Sequence, residues 1–166
     1  MLLEMEVTGL ALDPSSNTPI LILKTRDGGE ERTLPIWIGL LEAASIAMAL
    51  QKVEFGRPMT HDLFKAFLDA ARFTLDKVEV CDLKDNTYFA RVYFSGGENS
   101  FSMDSRPSDA IAMALRAKCP IFAEDDVINR SSQTSPPQGQ AEDTSEEGKK
   151  WTEYLENLNP DDFGKV

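Results

Sequence analysis

Ser45–Leu50 reads SIAMAL and Ala110–Leu115 reads AIAMAL, nearly the same hexapeptide 65 positions apart. Each lies early in a helix pattern rich in small residues, Glu42–Phe55 in the first case and Ser108–Lys118 in the second. What precedes them is also alike. Strand-like runs Leu3–Leu12, Pro19–Thr25 and Arg32–Ile38 lead to the first helix, with Asp27-Gly28-Gly29 as a hairpin turn. Lys77–Leu83, Thr87–Phe94 and Ser100–Met103 lead to the second, with turns at Lys84-Asp85-Asn86 and Ser95-Gly96-Gly97. The chain therefore reads as two β-β-β-α units. That predicts an α+β fold, with helices packed on a mostly antiparallel or mixed sheet, rather than a doubly wound one.

Between the units lies an extra helix pattern. Thr60 is placed to cap it, Asp62 favours its first turn, and Leu63, Phe64, Phe67, Leu68 and Ala71 form its apolar face. A short strand, Pro120–Ala123, closes this domain, which runs over residues 1–130. Ser131 to Gly148 has no large apolar residue and reads as a disordered linker of Ser, Pro and acids. In residues 149–166, Trp151, Tyr154, Leu155 and Leu158 recur at helical spacing until Pro160, a short amphipathic helix on a tether.

The whole chain has 166 residues, with 17 Lys and Arg against 28 Asp and Glu, a formal net charge of −11. Such a surface repels bulk phosphate, so a basic-groove nucleic-acid binder is disfavoured, and phosphate chemistry would need a local arginine cluster or a metal ion. Glu4 and Glu6 stand where a signal peptide needs basic residues, and the near-apolar run Ile36–Leu50 is broken by Glu42. These features predict a cytoplasmic chain without a membrane span. Cys81 and Cys119 read as reduced thiols in the core.

No phosphate-binding glycine loop, GxGxxG, HExxH, CxxC or GxSxG is present. The polar candidates cluster instead at helix starts: Arg57-Pro58-Met59-Thr60-His61-Asp62-Leu63, Met103-Asp104-Ser105-Arg106-Pro107-Ser108-Asp109, and Glu42 alone. Two readings fit them. In the first they are structural: Asp104 or Ser105 caps the helix begun by Pro107, Asp109 and Glu42 complement helix dipoles, and Arg57 and Arg106 neutralise the acids. In the second they form one site. Glu42, Asp104 and Asp109 would hold Mg²⁺ or Mn²⁺, with Asp62 beside them. Arg57 and Arg106 would clamp phosphate, and His61 would move the proton in phosphodiester hydrolysis.

Three blocks carry a resemblance: Leu34-Pro35-Ile36-Trp37-Ile38-Gly39 with Glu42-Ala43, then Arg57 to Leu63, then Asp104 to Ala112 with Pro120-Ile121. In this order and spacing, over about residues 1–127, the chain resembles the bifunctional nuclease domain family (BFN). The closing Leu155-Glu156-Asn157-Leu158 and Pro160 to Lys165 are similar to the tail of many bacterial members. The resemblance implies a small α+β domain, a homodimer or higher homo-oligomer, with DNase and RNase activity. Its motif positions fall on Glu42, Arg57, His61, Asp62, Asp104, Arg106 and Asp109. Some members end in a UvrB/UvrC-type helical hairpin, and this chain carries an acidic linker and short helix instead. A repair partner reached through that hairpin is therefore not expected. The alternative from the residues alone is a non-enzymatic oligomeric binding or regulatory domain.

Overall fold

The computed structural model describes residues 1–26 and 30–133. The Asp27-Gly28-Gly29 turn, most of the linker and the tail helix lie outside them. Its elements run β1 (Leu2–Leu12), β2 (Pro19–Thr25), β3 (Thr33–Trp37), α1 (Leu40–Leu50), α2 (Thr60–Ala70), β4 (Thr74–Lys84), β5 (Thr87–Gly96), β6 (Asn99–Ser105), α3 (Pro107–Ala117), β7 (Ile121–Glu124) and α4 (Asp125–Ser131). The described strands form one seven-stranded sheet in the order β3-β2-β1-β7-β4-β5-β6. Each repeat unit is thus one antiparallel three-stranded meander, and β7 joins the two. It pairs antiparallel with β1 and parallel with β4, the parallel pairing being reached through α3 as such a crossover requires. This is the α+β fold that the repeat predicts.

The repeat is also visible in the packing. Ile46 and Ile111, the second residues of the two hexapeptides, are both fully buried. Fully burying such a side chain contributes about 1.5–3 kcal/mol. Their helices pack on each other, and Ala43, Ala110 and Ala114 are buried there, their small side chains allowing close approach. In β3 the alternate residues Leu34 and Ile36, with Ile38 beyond the strand's end, enter the core. Of the residues between them, Trp37 donates its indole N–H to Asp13 at 3.0 Å, fixing the β1–β2 turn. The Pro35 carbonyl accepts the Tyr88 hydroxyl of β5 at 3.1 Å, so the sheet curls far enough for β5 to reach edge strand β3. Proline is tolerated at Pro35 because an edge strand can spare an N–H. The β4–β5 hairpin turns on Asp85 and Asn86, both left-handed (φ 48 and 59), as a two-residue primed turn demands.

Several boundaries differ from the sequence expectation. The first helix ends at Leu50 rather than Phe55. Lys52 takes a left-handed φ of 53 and the Val53 N–H bonds back to the Met48 carbonyl, closing the helix. Arg72 ends α2 and Lys118 ends α3 in the same way, through Phe73 to Leu68 and Cys119 to Ala114. Glycine usually holds that position; here basic side chains hold it, beside the negative end of each helix dipole. Met59, not Thr60, is the N-cap of α2, its N–H donating to Asp62 Oδ2 at 3.0 Å. Neither Asp104 nor Ser105 caps α3; the N-cap is Arg106, and the Ser105 hydroxyl donates to the Arg106 carbonyl. Helix α4 falls on no predicted element. Cys81 and Cys119 are free thiols, but half-buried rather than core residues.

Candidate active site

Helices α1, α2 and α3 each deliver polar side chains from their first turns to one place. In α3, Asp109 is the acid of the first turn, where the dipole favours a carboxylate. It accepts from Arg106 Nε at 2.7 Å and from His61 Nε2, on α2, at 3.0 Å. Arg106 also donates from Nη1 to Glu42 Oε1, on α1, at 2.8 Å. Glu42 folds back over Gly39, the N-cap of α1, where a Cβ would collide with its carboxylate. The other ring nitrogen of His61, Nδ1, lies 2.8 Å from the hydroxyl of Ser45, one turn into α1. The result is a continuous chain, Glu42–Arg106–Asp109–His61–Ser45, joining the three helices.

Protonation follows from the partners. Burial alone would raise the Asp109 carboxyl, but hydrogen bonds from Arg106 and His61 outweigh it and hold the group below its ordinary value. Asp109 in turn raises the Arg106 guanidinium further above its ordinary range, with Glu42 adding to the effect. An ionised carboxylate only accepts, so His61 Nε2 carries a hydrogen. Ser45 can either donate to Nδ1 or accept from it. Both ring nitrogens of His61 are thus engaged.

The two helix-start loops thus meet, through His61 and Asp109. Not every predicted residue joins them. Asp62 follows His61 on α2, and adjacent helical residues point about 100° apart. It turns away to Arg116 Nε at 2.6 Å. Burial opposes ionisation of Asp62, but Arg116 and the Met59 N–H lower its pKa. The Arg116 side chain is 10% exposed and also donates to the Ala112 and Ser45 carbonyls, so it ties α2 and α1 to α3. Arg106, at 65%, is open to solvent. Arg57 is exposed, and among the described residues neither it nor Asp104 makes an ion pair or side-chain hydrogen bond.

A cavity of about 270 Å³ opens beside His61. Val92, Phe94 and Met113 line its interior, and Phe64 and Met103 its partly exposed walls. Thr60, Asp104, Ser105 and Asp109 add polar groups. Of the residues expected to bind metal, Glu42 and Asp109 meet through Arg106, and Asp104 stands apart. Among the described residues no three His, Cys, Asp or Glu side chains form a metal-holding group. The cation shared by Glu42 and Asp109 is the Arg106 guanidinium, so this donor set does not fit Mg²⁺ or Mn²⁺ as arranged.

A model of the bifunctional nuclease domain matches residues 21–136, which include every residue of this site. The chain belongs to the bifunctional nuclease domain family. An uncharacterized protein of Mycobacterium tuberculosis is 37% identical over 164 residues, 96% of this chain and 97% of the relative. Bifunctional nuclease 1 of Oryza sativa subsp. japonica is 28% identical over 115 residues, 68% of this chain and 34% of the rice protein. Bifunctional nuclease 1 of Arabidopsis thaliana is 32% identical over 106 residues, 62% of this chain and 32% of the relative. The chain thus spans about a third of these plant proteins.

Within this bifunctional nuclease domain, Ser45 and Arg116 are the site residues that the sequence reading passed over. Both sit inside apolar helix patterns. The available signal for Ser45 was the repeat itself, because SIAMAL departs from AIAMAL at that position alone. No helix among the described residues is long and apolar enough to cross a membrane.

Proposed function

We propose that this chain hydrolyses phosphodiester bonds in DNA, RNA or both, at the junction of α1, α2 and α3. The observation that carries the reading is His61, held between Ser45 and Asp109 at the mouth of a cavity with the exposed Arg106 alongside. Its partners hold both ring nitrogens and so fix the ring's orientation, which suits a general acid or base. Asp109 orients the ring, and Arg106 holds phosphate oxygens together with Arg57, which precedes His61 in the same helix-start segment. Asp104 lies on edge strand β6 at the border of the cavity, Asp62 secures α2 through Arg116, and Glu42 steadies Arg106. The proton and phosphate steps are assigned to these side chains and not to Mg²⁺ or Mn²⁺. The net charge of −11 offers no long-range steering of a polyanion, so binding rests on few phosphate contacts and depends weakly on salt.

One observation favours the other reading, a non-enzymatic oligomeric binding or regulatory domain. Glu42, Arg106, Asp109 and His61 are satisfied by one another, as a purely structural lock would be, while Leu63, Phe67 and Phe101 are exposed. A homodimer or higher homo-oligomer would cover them. Turnover on single- and double-stranded DNA and RNA, with Mg²⁺, Mn²⁺ or EDTA, separates the two when wild type and Arg106→Ala are purified identically. The nuclease reading expects turnover that falls sharply in a folded Arg106→Ala protein. Equal turnover in both, or none in either, overturns it, and light scattering on the same samples reads the oligomer.

A further inference from the structure

A groove of about 650 Å³ lies at the C-terminal ends of α1 and α3, away from their starts, and beside α2. Met48, Leu50, Val53, Phe55 and Leu115 make its floor, and Leu50 and Val53 remain 36% and 44% exposed. Lys52, Lys65, Arg116 and Lys118 rim it, against two acids, Glu54 and Asp62, in a chain whose net charge is −11. Arg116 is paired with Asp62, and Lys65 with Asp69 on its own helix. Lys52 and Lys118 make no ion pair or side-chain hydrogen bond among the described residues. They hold the left-handed positions that close α1 and α3. The two helix ends contribute roughly half a negative charge each, which leaves the rim cationic. An apolar floor inside a basic rim fits an apolar helix face flanked by acids.

We propose that this groove is the docking site for the chain's own segment 151–163. Trp151, Tyr154, Leu155 and Leu158 stand at i, i+3, i+4 and i+7, the spacing by which an amphipathic helix anchors in an apolar groove. Trp151 supplies a large aromatic anchor of the kind that dominates interfaces. From Trp151 to Phe163 the charged residues are Glu153, Glu156, Asp161 and Asp162, with no basic residue among them. The signs are therefore complementary across the rim. A helix this short is marginal in water unless another surface takes its apolar face. The tether is long enough. Residues 134–150 separate Gln133 from Trp151, and that many span up to about 60 Å, whereas a domain of about 130 residues measures roughly 35 Å across. Docking brings the segment against Arg116, which donates to the Ser45 carbonyl and pairs with the neighbour of His61. The docked segment and the site thus share one side chain. The inference stands independently of the nuclease reading.

NMR and fluorescence on the full-length protein test this. The chain, labelled with ¹³C at its methionine methyls, is compared with Trp151→Ala/Leu155→Ala, in which residues 1–133 keep their own sequence. The signal of Met48, in the groove, should move, and that of Met103, on the separate exposed surface of Phe64 and Phe101, should not. The emission of Trp151, taken as the difference from Trp151→Phe, should be several-fold less quenched by acrylamide in wild type than in Lys52→Glu/Lys118→Glu. Adding Glu153→Lys/Glu156→Lys to that reversed groove should restore the protection. Both readouts should hold on dilution, because the segment docks on its own chain. A Met48 signal that the tail substitutions leave in place overturns the proposal, and so does movement of Met103 alone, which puts the segment on α2 and β6. A Met48 signal moved by a single-stranded oligonucleotide and not by the tail substitutions gives the groove to a phosphate backbone. Protection lost on dilution gives it to the tail of a second copy, and either result overturns the proposal.

Discussion

Ser45 Oγ lies 2.8 Å from His61 Nδ1, and Ser45 is the position at which one helical repeat departs from the other. Its counterpart, Ala110, is buried and supplies only packing. The duplicated pattern builds the scaffold, and its one departure supplies a hydroxyl to the only histidine in the chain.

Ser45→Ala restores the alanine of the other repeat and therefore keeps the helix. The imidazole loses the partner at Nδ1. We expect kcat to fall roughly ten- to a hundredfold, on the scale that misplacing a reacting group costs, with KM little changed. The His61 ring signals in NMR should move, and Ser45→Thr should recover both them and kcat. A Ser45→Ala protein with unaltered ring signals and kcat would show that the hydroxyl does not position His61.

Ile46→Ala and Ile111→Ala remove equivalent, fully buried side chains from the two repeats. Each should cost about 2–5 kcal/mol in urea unfolding. Near-equal losses follow if the helices share one core, and a large loss for one alone would break the structural equivalence of the repeats.

Asp109 gives the pH dependence. Its folded-state pKa lies below its ordinary value of 3.8, because Arg106 and His61 outweigh burial. The stabilisation this provides is present above 3.8 and is lost as pH falls through the lower folded value, since the unfolded chain takes up the proton first. Wild-type stability should accordingly fall more steeply than that of Asp109→Asn as pH drops below about 4. Urea midpoints measured from pH 7 to pH 3 check this, and parallel curves would show that the pair contributes no such linkage.

The meanders and helices were legible because hydrophobic period and turn chemistry agree along both repeats, down to the Asp85-Asn86 turn. The helix ends were not. Lys52, Arg72 and Lys118 carry left-handed conformations for which the usual sequence mark is glycine. Helix α4 spans only seven residues, too few for a periodic pattern to declare itself. In the site, His61, Arg106 and Asp109 were legible as residue types at helix starts, and their convergence is a tertiary fact. Asp62 was expected beside the acids of the site, but it follows His61 directly, and adjacency on a helix is what points it elsewhere. Ser45 and Arg116 were hidden by the apolar patterns that contain them.

The basic helix terminators make a prediction of their own. Arg72 adopts φ 60, a conformation that costs an L-residue about 1–2 kcal/mol and glycine almost nothing. Because glycine also gains freedom in the unfolded chain, Arg72→Gly should stabilise by no more than about 1 kcal/mol in urea unfolding. A loss instead would mean that the guanidinium's interaction with the helix end outweighs the backbone strain.

The central claim is that the three helix starts form one hydrolytic site through His61. The measurement that bears on it most directly is turnover of a single-stranded DNA and a single-stranded RNA by wild type and His61→Ala, purified side by side, with circular dichroism confirming that both are folded. The account predicts a loss of about a hundredfold or more in the variant, the scale on which a general acid or base contributes. Equal turnover by the two proteins would contradict it.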